Sequence, residues 1–282
     1  MLRIALPNKG SLAESASTML REAGYRQRTD SKELAILDPD NDVEFFYLRP
    51  RDIAVYVGEG TLDLGITGKD LLIDSGTSAV EVLPLGFGAS TFRLAAFPGA
   101  FSSLRDLQGK RVATAYAGVM EQILEREGVD AKIVRLDGAV ETAIRLGVAD
   151  AVADVVSTGT TLRTAGLQIV GDEPLLTSEA LLIGRADVEA QPSVQRLVRR
   201  LQNVLVARRY VMLDYDVSAE NLEAAAAVTP GLESPTVSPL HNPGWFAVRA
   251  MVPRGETNAI MDQLWQLGAR AILVTDIIAC RI

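Results

Sequence analysis

The sequence predicts an α/β protein built as two lobes of strand–helix repeats, followed by a smaller unit of βαββαβ order. Three observations predict it. Strand-like and helix-like runs alternate from the first residues to about residue 185, the pattern of sheets with parallel strands. A short echo links the two halves: "EGTLDLGIT" sets Gly60 and Asp63 ahead of an apolar strand, and "LGVADAVAD" sets Gly147 and Asp150 the same way. Beyond about residue 210 the connections turn rich in Pro, Gly and Ser, and the order becomes that of the ferredoxin-like unit.

Taken in order, Arg3–Leu6 is a strand and "PNKG" a loop. Ser11 then caps a helix to about Ala23, with Glu14 completing a capping box and Gly24 stopping it. "VEFFYL" is a buried strand, "RPRDIAVYVGEG" a short helix, "LDLGIT" a strand and "GKDLLIDSG" a helix. "LGFGAST" links two strands, so it fails as a dinucleotide fingerprint, which must open a helix. The pattern then restarts: "STFRLAAFP" is a strand, and "SSLRDLQGKRVAT" a helical turn and a strand. Residues 118–128 form a helix, 131–136 a strand, 139–147 a helix and 149–156 a buried strand. "EALLIGR" is one more strand, and 192–209 the clearest amphipathic helix, with Val194, Leu197, Val198, Leu201, Val204 and Leu205 on one face. In the tail, "RYVMLDYDV" is a strand, "SAENLEAAAAV" a helix capped by Ser218, and about 234–239 a short strand. "WFAVRAMVP", "ETNAIMDQLWQLG" and "RAILVTDIIACRI" complete the unit as strand, helix and strand.

The composition excludes a good deal. One cysteine, Cys280, forbids an intrachain disulfide, and with one histidine, His241, a zinc site built from several Cys and His is out of reach. His241 sits in the Pro-rich loop "SPLHNPGW" and reads as a surface residue. Chemistry therefore falls to carboxylates, hydroxyls, backbone amides, Lys/Arg and a hard cation. The net charge of −8 offers no basic field for nucleic acid. No apolar run reaches the roughly 18–20 residues that span a bilayer. Met1-Leu2-Arg3 leads straight into a strand, so neither a signal peptide nor membrane attachment is expected, and the expected location is cytoplasmic.

Candidate chemistry gathers where strands hand over to helices. After Asp154 the chain runs Ser157-Thr158-Gly159-Thr160-Thr161, four hydroxyls about a glycine. Backbone amides at such a turn suit a phosphate, and the lack of a Lys excludes a Walker-type loop; a capped helix start is the plainer alternative. Asp137 and Glu141 lie nearby in sequence, carboxylates suited to sugar hydroxyls or a bridging Mg²⁺. "PNKG" offers Lys9 and Gly10, "YLRPRD" Arg49 and Arg51, and "GITGKD" Gly68, Lys69 and Asp70, each at a strand's carboxyl end. A non-catalytic two-lobed receptor for a small anion, and a regulator with such a sensor, compete with an enzyme at this point. No helix-turn-helix speaks for the regulator.

Over essentially its whole length the sequence resembles the long form of the ATP phosphoribosyltransferase family. The resemblance rests on "LPNKGSL", "LRPRDIAVYVGEGTLDLGITGKDLL", "LDGAVETA", "ADVVSTGTTL" and "TPGLESPTVSPL", and it is closest to the actinobacterial branch. It implies transfer of the phosphoribosyl group of phosphoribosyl pyrophosphate (PRPP) to N1 of ATP with Mg²⁺, the first step of histidine biosynthesis, and a core like type II periplasmic binding proteins. It implies domain I at 1–90 and 180–210, domain II at 91–179, and a histidine-binding regulatory domain III at 211–282. Dimers and a histidine-stabilised hexamer follow, without a separate regulatory subunit; AMP as a second inhibitor stays open. By position, Asp154 to Thr161 correspond to the loop for the PRPP 5′-phosphate and Glu141 to an acid near the ribose. Glu141 and Asp154 are thereby the catalytic candidates. Lys9, Gly10, Arg49, Asp70 and Tyr116 correspond to the nucleotide and pyrophosphate part of the cleft, with Mg²⁺ carried mainly by substrate phosphates. Asp216, Leu232, Ser234, Thr236 and Ala271 correspond to the histidine pocket. Many phosphoribosyltransferases place two adjacent acids before the Thr-Gly loop; here Ala153-Asp154 supplies one, so a ribose-clamping pair needs Glu141.

Overall fold

Leu2–Pro7 is buried at every residue but Arg3, the signature of a central strand covered on both faces, and the first lobe is assembled around it. The structure is a computed structural model that describes residues 1–156 and 159–281. Strand β1 (Leu2–Pro7) leads to helix α1 (Ser11–Glu22), β2 (Ala35–Asp38), β3 (Val43–Leu48), α2 (Pro50–Gly58), β4 (Leu64–Gly68), α3 (Lys69–Ser75) and β5 (Val80–Pro84). The second lobe holds β6 (Ser90–Ala96), β7 (Arg111–Thr114), α4 (Ala117–Glu127), β8 (Lys132–Arg135), β9 (Ala151–Val156), α5 (Thr160–Thr164), β10 (Gln168–Ile169) and β11 (Leu176–Ser178). The chain then returns as β12 (Ala180–Gly184) and continues into α6 (Pro192–Arg209).

The first sheet has the order β2-β3-β1-β4-β12-β5 and the second β10-β6-β9-β7-β8, with β11 also on β6. Only the centres are parallel, β3-β1-β4 and β9-β7-β8; the flanking pairs are antiparallel. This corrects the expectation of parallel sheets. The two lobe crossings explain the antiparallel pairs of β6 and β12, strands that enter their sheets from the other lobe against the grain, while β2 and β3 form a hairpin within the first lobe. The crossings run side by side: Leu85 N–H donates to the Ala180 carbonyl at 2.9 Å, Ala180 N–H to Phe87 at 2.9 Å, and Gly86 N–H to the Glu179 carboxylate at 3.0 Å. The result is a two-lobed α/β core.

The sequence echo is a structural repeat. In the first lobe Arg3 N–H donates to Asp63 Oδ2 at 2.9 Å and the Arg3 guanidinium to the Thr61 carbonyl at 3.0 Å. In the second, Arg111 N–H donates to Asp150 Oδ2 at 2.8 Å and its guanidinium to the Gly147 carbonyl at 2.8 Å. Each aspartate ties the amino ends of two neighbouring parallel strands. The cores repeat as well: Ala5, Ile53, Val57 and Ile183 in the first lobe, and Phe92, Leu94, Val112 and Met120 in the second. Ala95, Ala113, Val152 and Leu162 cover the second sheet's other face, as the two-residue strand period requires.

The tail follows as β13 (Tyr210–Ser218), α7 (Leu222–Val228), β14 (Thr236–Pro239), β15 (Trp245–Pro253), α8 (Thr257–Gln266) and β16 (Arg270–Asp276). Its antiparallel sheet, β14-β15-β13-β16, is the ferredoxin-like arrangement, with Leu213, Tyr215, Val248, Ile260 and Leu264 in its core. Strand β13 alternates buried and half-buried residues along its whole length, as a strand with one covered face must.

Three local expectations are corrected. Residues 139–147 form no helix: Gly138 at φ 154° and Ala139 at φ 48° break the entry, leaving a 3₁₀ turn at Val140–Thr142 and further turns. Ser218 remains the last residue of β13, and Asn221 stands at the N-cap of α7. Ser11 is the first helical residue rather than the cap, and Gly10 before it adopts φ 86°. Strands β2, β5, β10 and β11 escape the sequence reading, being short or mostly exposed. Among the described residues no helix is long and apolar enough to cross a membrane.

Candidate active site

The carboxyl ends of the parallel strands carry the candidate residues in both lobes, where ligands of open α/β sheets bind. In the first lobe Pro7 pairs with Leu48, and Asn8 N–H donates to the Leu48 carbonyl at 2.8 Å, so the Lys9-Gly10 loop and Arg49 are neighbours. Lys9, Gly10 and Arg49 are exposed. The loop is anchored from beneath: Arg28 donates to the Asn8 carbonyl at 2.7 Å while its guanidinium lies 4.0 Å from the Tyr47 ring centroid.

Beside them β4 ends in Gly68, and α3 begins with Lys69 and Asp70. Asp70 is buried, and the Ser178 hydroxyl donates to its Oδ1 at 2.9 Å while the Asp70 N–H donates to Ser178 Oγ at 3.0 Å. A side chain at Gly68 would set its Cβ 2.2 Å from Asp70 Oδ1, so only glycine lets that carboxylate fold back.

In the second lobe β9 brings Asp154 to the same edge, and Gly159 at φ 70° caps the short helix that carries Thr160 and Thr161. Ser157 and Thr158 lie outside the described residues. Glu141 stands half-buried on the 3₁₀ turn after β8. Tyr116 precedes α4, with its ring edge-on to Phe92 at 5.9 Å.

These groups share one electrostatic neighbourhood. Burial pushes the Asp154 carboxyl above the usual aspartate range, opposed by the N–H of Val155 and reinforced by Glu141 and Asp70; the nearby Arg51 pulls it back. Burial likewise pushes the Tyr116 phenol well above its ordinary value, with Asp70 and Asp154 adding to it. Tyr116 therefore stays neutral and can donate a hydrogen bond. Arg51 lies over its ring, 5.0 Å from the centroid, and pairs with Asp74. Carboxylates of both lobes thus act on one another around Tyr116, with the Arg51 guanidinium among them.

The tail candidates are less concentrated. Asp216 on β13 pairs with Arg270 on β16, next to Ala271, whose φ of 50° is rare for a non-glycine. Thr236 lies on the edge strand β14, two strands from β13, while Leu232 and Ser234 sit exposed in the connector before it. The structure of this unit thus joins Asp216 with Ala271 and spreads the other three along an exposed margin.

Comparison with known proteins decides the family. The family model of ATP phosphoribosyltransferase matches residues 49–203, and that of the HisG C-terminal domain residues 207–279. The chain belongs to the ATP phosphoribosyltransferase family. The enzyme of Pseudarthrobacter chlorophenolicus is 64% identical over 285 residues, and that of Streptomyces coelicolor 63% over 286, each alignment covering 100% of both chains. A chain from the ATP phosphoribosyl transferase (HisG:HisZ) complex of Thermotoga maritima superposes with a TM-score of 0.61 at 27% identity, covering 73% of this chain and 98% of that one. The protein is thus a transferase of the first step of histidine biosynthesis.

Two residues at the centre of the cluster go beyond the sequence reading. Arg51 stands there only as one more cation beside Arg49, and Asp74 is not singled out. The available signal was spacing: Asp74 falls four residues after Asp70 on α3, hence on the same helical face.

Proposed function

We propose that the space between the two sheets' carboxyl ends transfers the 5-phosphoribosyl group of PRPP to N1 of ATP, releasing pyrophosphate and forming phosphoribosyl-ATP. The observation that supports this placement is the convergence of Asp70, Asp154 and Glu141 about Tyr116 and Arg51. Displacement at an anomeric carbon builds positive charge on the ribose and negative charge on the departing pyrophosphate. Asp154, with Glu141 beside it, faces the first, a fixed negative charge in a partly dry setting that needs no reorganisation. Lys9, Gly10 and Arg49, neighbours at the ends of β1 and β3, meet the polyphosphates; the loop with Gly159, Thr160 and Thr161 holds the 5′-phosphate. Positioning and electrostatics then suffice, with no call for a histidine base.

Magnesium fits this donor set in one way. Among the described residues no three His, Cys, Asp or Glu form a metal-binding group; Asp154 and Glu141 would supply carboxylate oxygens to a magnesium ion carried mainly by the substrate phosphates. When bound it neutralises the leaving group.

Histidine is the feedback inhibitor, held by Asp216, Leu232, Ser234, Thr236 and Ala271, and the protein works in the cytoplasm as dimers and a histidine-stabilised hexamer. The tail stands in the chain itself, in place of a separate regulatory subunit. Pyrophosphate release from ATP and PRPP, with and without magnesium, tests the reaction; no turnover with both substrates and the metal present removes it. Asp216→Ala should raise the half-inhibitory histidine concentration at least about tenfold with kcat kept, as loss of a charge-assisted contact to an ammonium or imidazolium group implies; unchanged inhibition moves the effector site elsewhere.

A further inference from the structure

Asp74 sits at the far end of α3, its side chain only 5% exposed. Its Oδ1 accepts the N–H of Gly118, at the start of α4 in the other lobe, at 2.9 Å. Its Oδ2 pairs with Arg51, whose guanidinium lies over Tyr116. One turn earlier on the same face, Asp70 takes the Ser178 hydroxyl, also from the second lobe. Helix α3 therefore reaches across the lobe boundary twice, each time through a carboxylate.

The contact is built at backbone distance. A Cβ on Gly118 would stand 2.6 Å from the Asp74 carbonyl oxygen and 3.1 Å from its carbon, atoms that no rotamer change can move aside. Glycine here lets the two helices touch. A buried carboxylate is a poor choice for stability alone, since a well-packed neutral side chain does as well or better without the desolvation cost. What the charge adds is direction. It holds a long guanidinium over the Tyr116 ring, 5.0 Å from the centroid, and that ring's phenol feels the charges of Asp70 and Asp154.

We propose that Asp74 is a positioning residue for phosphoribosyl transfer: it fixes Arg51 against Tyr116 and sets the spacing of α3 and α4, so that the cation stands ready where the two lobes' carboxylates meet. The inference rests on the reading of the cleft given above. Asp74 itself touches no substrate; it acts through Arg51.

The full-length wild type, Asp74→Asn, Arg51→Gln, the double variant and Gly118→Ala are compared by steady-state kinetics with both substrates and by thermal unfolding. Wild-type turnover comes first, because its absence removes the proposed reaction rather than the role of Asp74. With the wild type active, Asp74→Asn keeps an oxygen for the Gly118 N–H and drops the charge. Its kcat should fall about tenfold with KM for ATP within about twofold and Tm within about 2 °C. The double variant should be no slower than Arg51→Gln alone, within about twofold, because the two side chains act as a unit. Gly118→Ala should raise the KM for PRPP about fivefold by spreading the lobes. A wild-type kcat in Asp74→Asn, losses that multiply in the double variant, or an unchanged PRPP KM in Gly118→Ala overturns the proposal. Should Asp74→Asn not fold, Arg51→Gln decides: an unchanged kcat there leaves Asp74 nothing to act through.

Discussion

The two ends of strand β9 treat their aspartates in opposite ways. At the amino end Asp150 receives the backbone N–H of Arg111 and both Nε and Nη2 of its guanidinium, and these bonds hold its carboxyl below the usual range. At the carboxyl end Asp154 is half-buried beside Glu141 and Asp70, and burial pushes it up. The first lobe repeats the backbone bond from Arg3 to Asp63, while the Asp63 charge is met by Arg185 at 3.1 Å. Where the lobes need a frame they agree, and the charge is satisfied. At their carboxyl ends they diverge: one supplies Lys69 and the buried Asp70, the other Asp154 and the Thr160-Thr161 helix start. The framework repeats while the chemistry differs, and a charge kept at a cost marks the working end.

That contrast is sharpest at Asp154. Asp154→Asn should lower kcat/KM by roughly 100- to 1000-fold, the usual scale for a preorganised charge facing the transition state. A loss under about threefold would remove Asp154 from the ribose. The pH dependence has a definite sign. Because the folded carboxyl titrates above its ordinary value of about 3.9, activity should fall on acidification earlier than a free aspartate would allow, and the Asn variant should lack that limb. Stability runs the other way. This raised carboxyl contributes stability fully below its unfolded pKa, and the contribution is lost as pH rises through the folded pKa. At neutral pH Asp154 is therefore a burden, and Asn in its place should raise Tm by about 2 °C. A lower Tm would mean that the charge is needed for the fold.

The hydroxyls beyond it should matter less. Thr160→Ala with Thr161→Ala should raise the PRPP KM about three- to tenfold and leave the ATP KM within about twofold, the scale of one or two lost hydrogen bonds to a phosphate. Equal shifts for both substrates would show that the loop does not hold the 5′-phosphate.

Much of this was legible in the sequence, for identifiable reasons. Long apolar or amphipathic runs such as Leu2–Pro7, Val43–Leu48 and Pro192–Arg209 declare their elements because burial dominates them. The Gly60/Asp63 and Gly147/Asp150 echo was readable because each aspartate bonds a residue far away in the chain in the same way, so the constraint is written locally. The 139–147 segment misleads because its helical pattern is overridden by two positive φ values at Gly138 and Ala139. The hub at Asp74 was hidden for another reason. Its partners, Arg51 and Gly118, come from elements 23 and 44 residues away, and nothing in the spacing says that α3 meets α4.

The smallest effect is expected at the satisfied end of β9, and it tests the comparison from below. Asp150→Asn keeps an acceptor for the Arg111 N–H but removes the charge of the pair. Both side chains are partly exposed, at 41% for Arg111 and 33% for Asp150, so water already screens the interaction. The variant should keep kcat and both KM values within about twofold and lower Tm by about 1–2 °C. The sign with pH is the reverse of that at Asp154: a depressed carboxyl stabilises above its unfolded pKa, and that stability is lost as pH falls through the folded pKa. The Tm gap between wild type and Asp150→Asn should accordingly close in acid, while the gap at Asp154 closes there from the other side. Should Asp150→Asn instead abolish turnover with the fold intact, the division between a structural and a working end of the strand would be wrong.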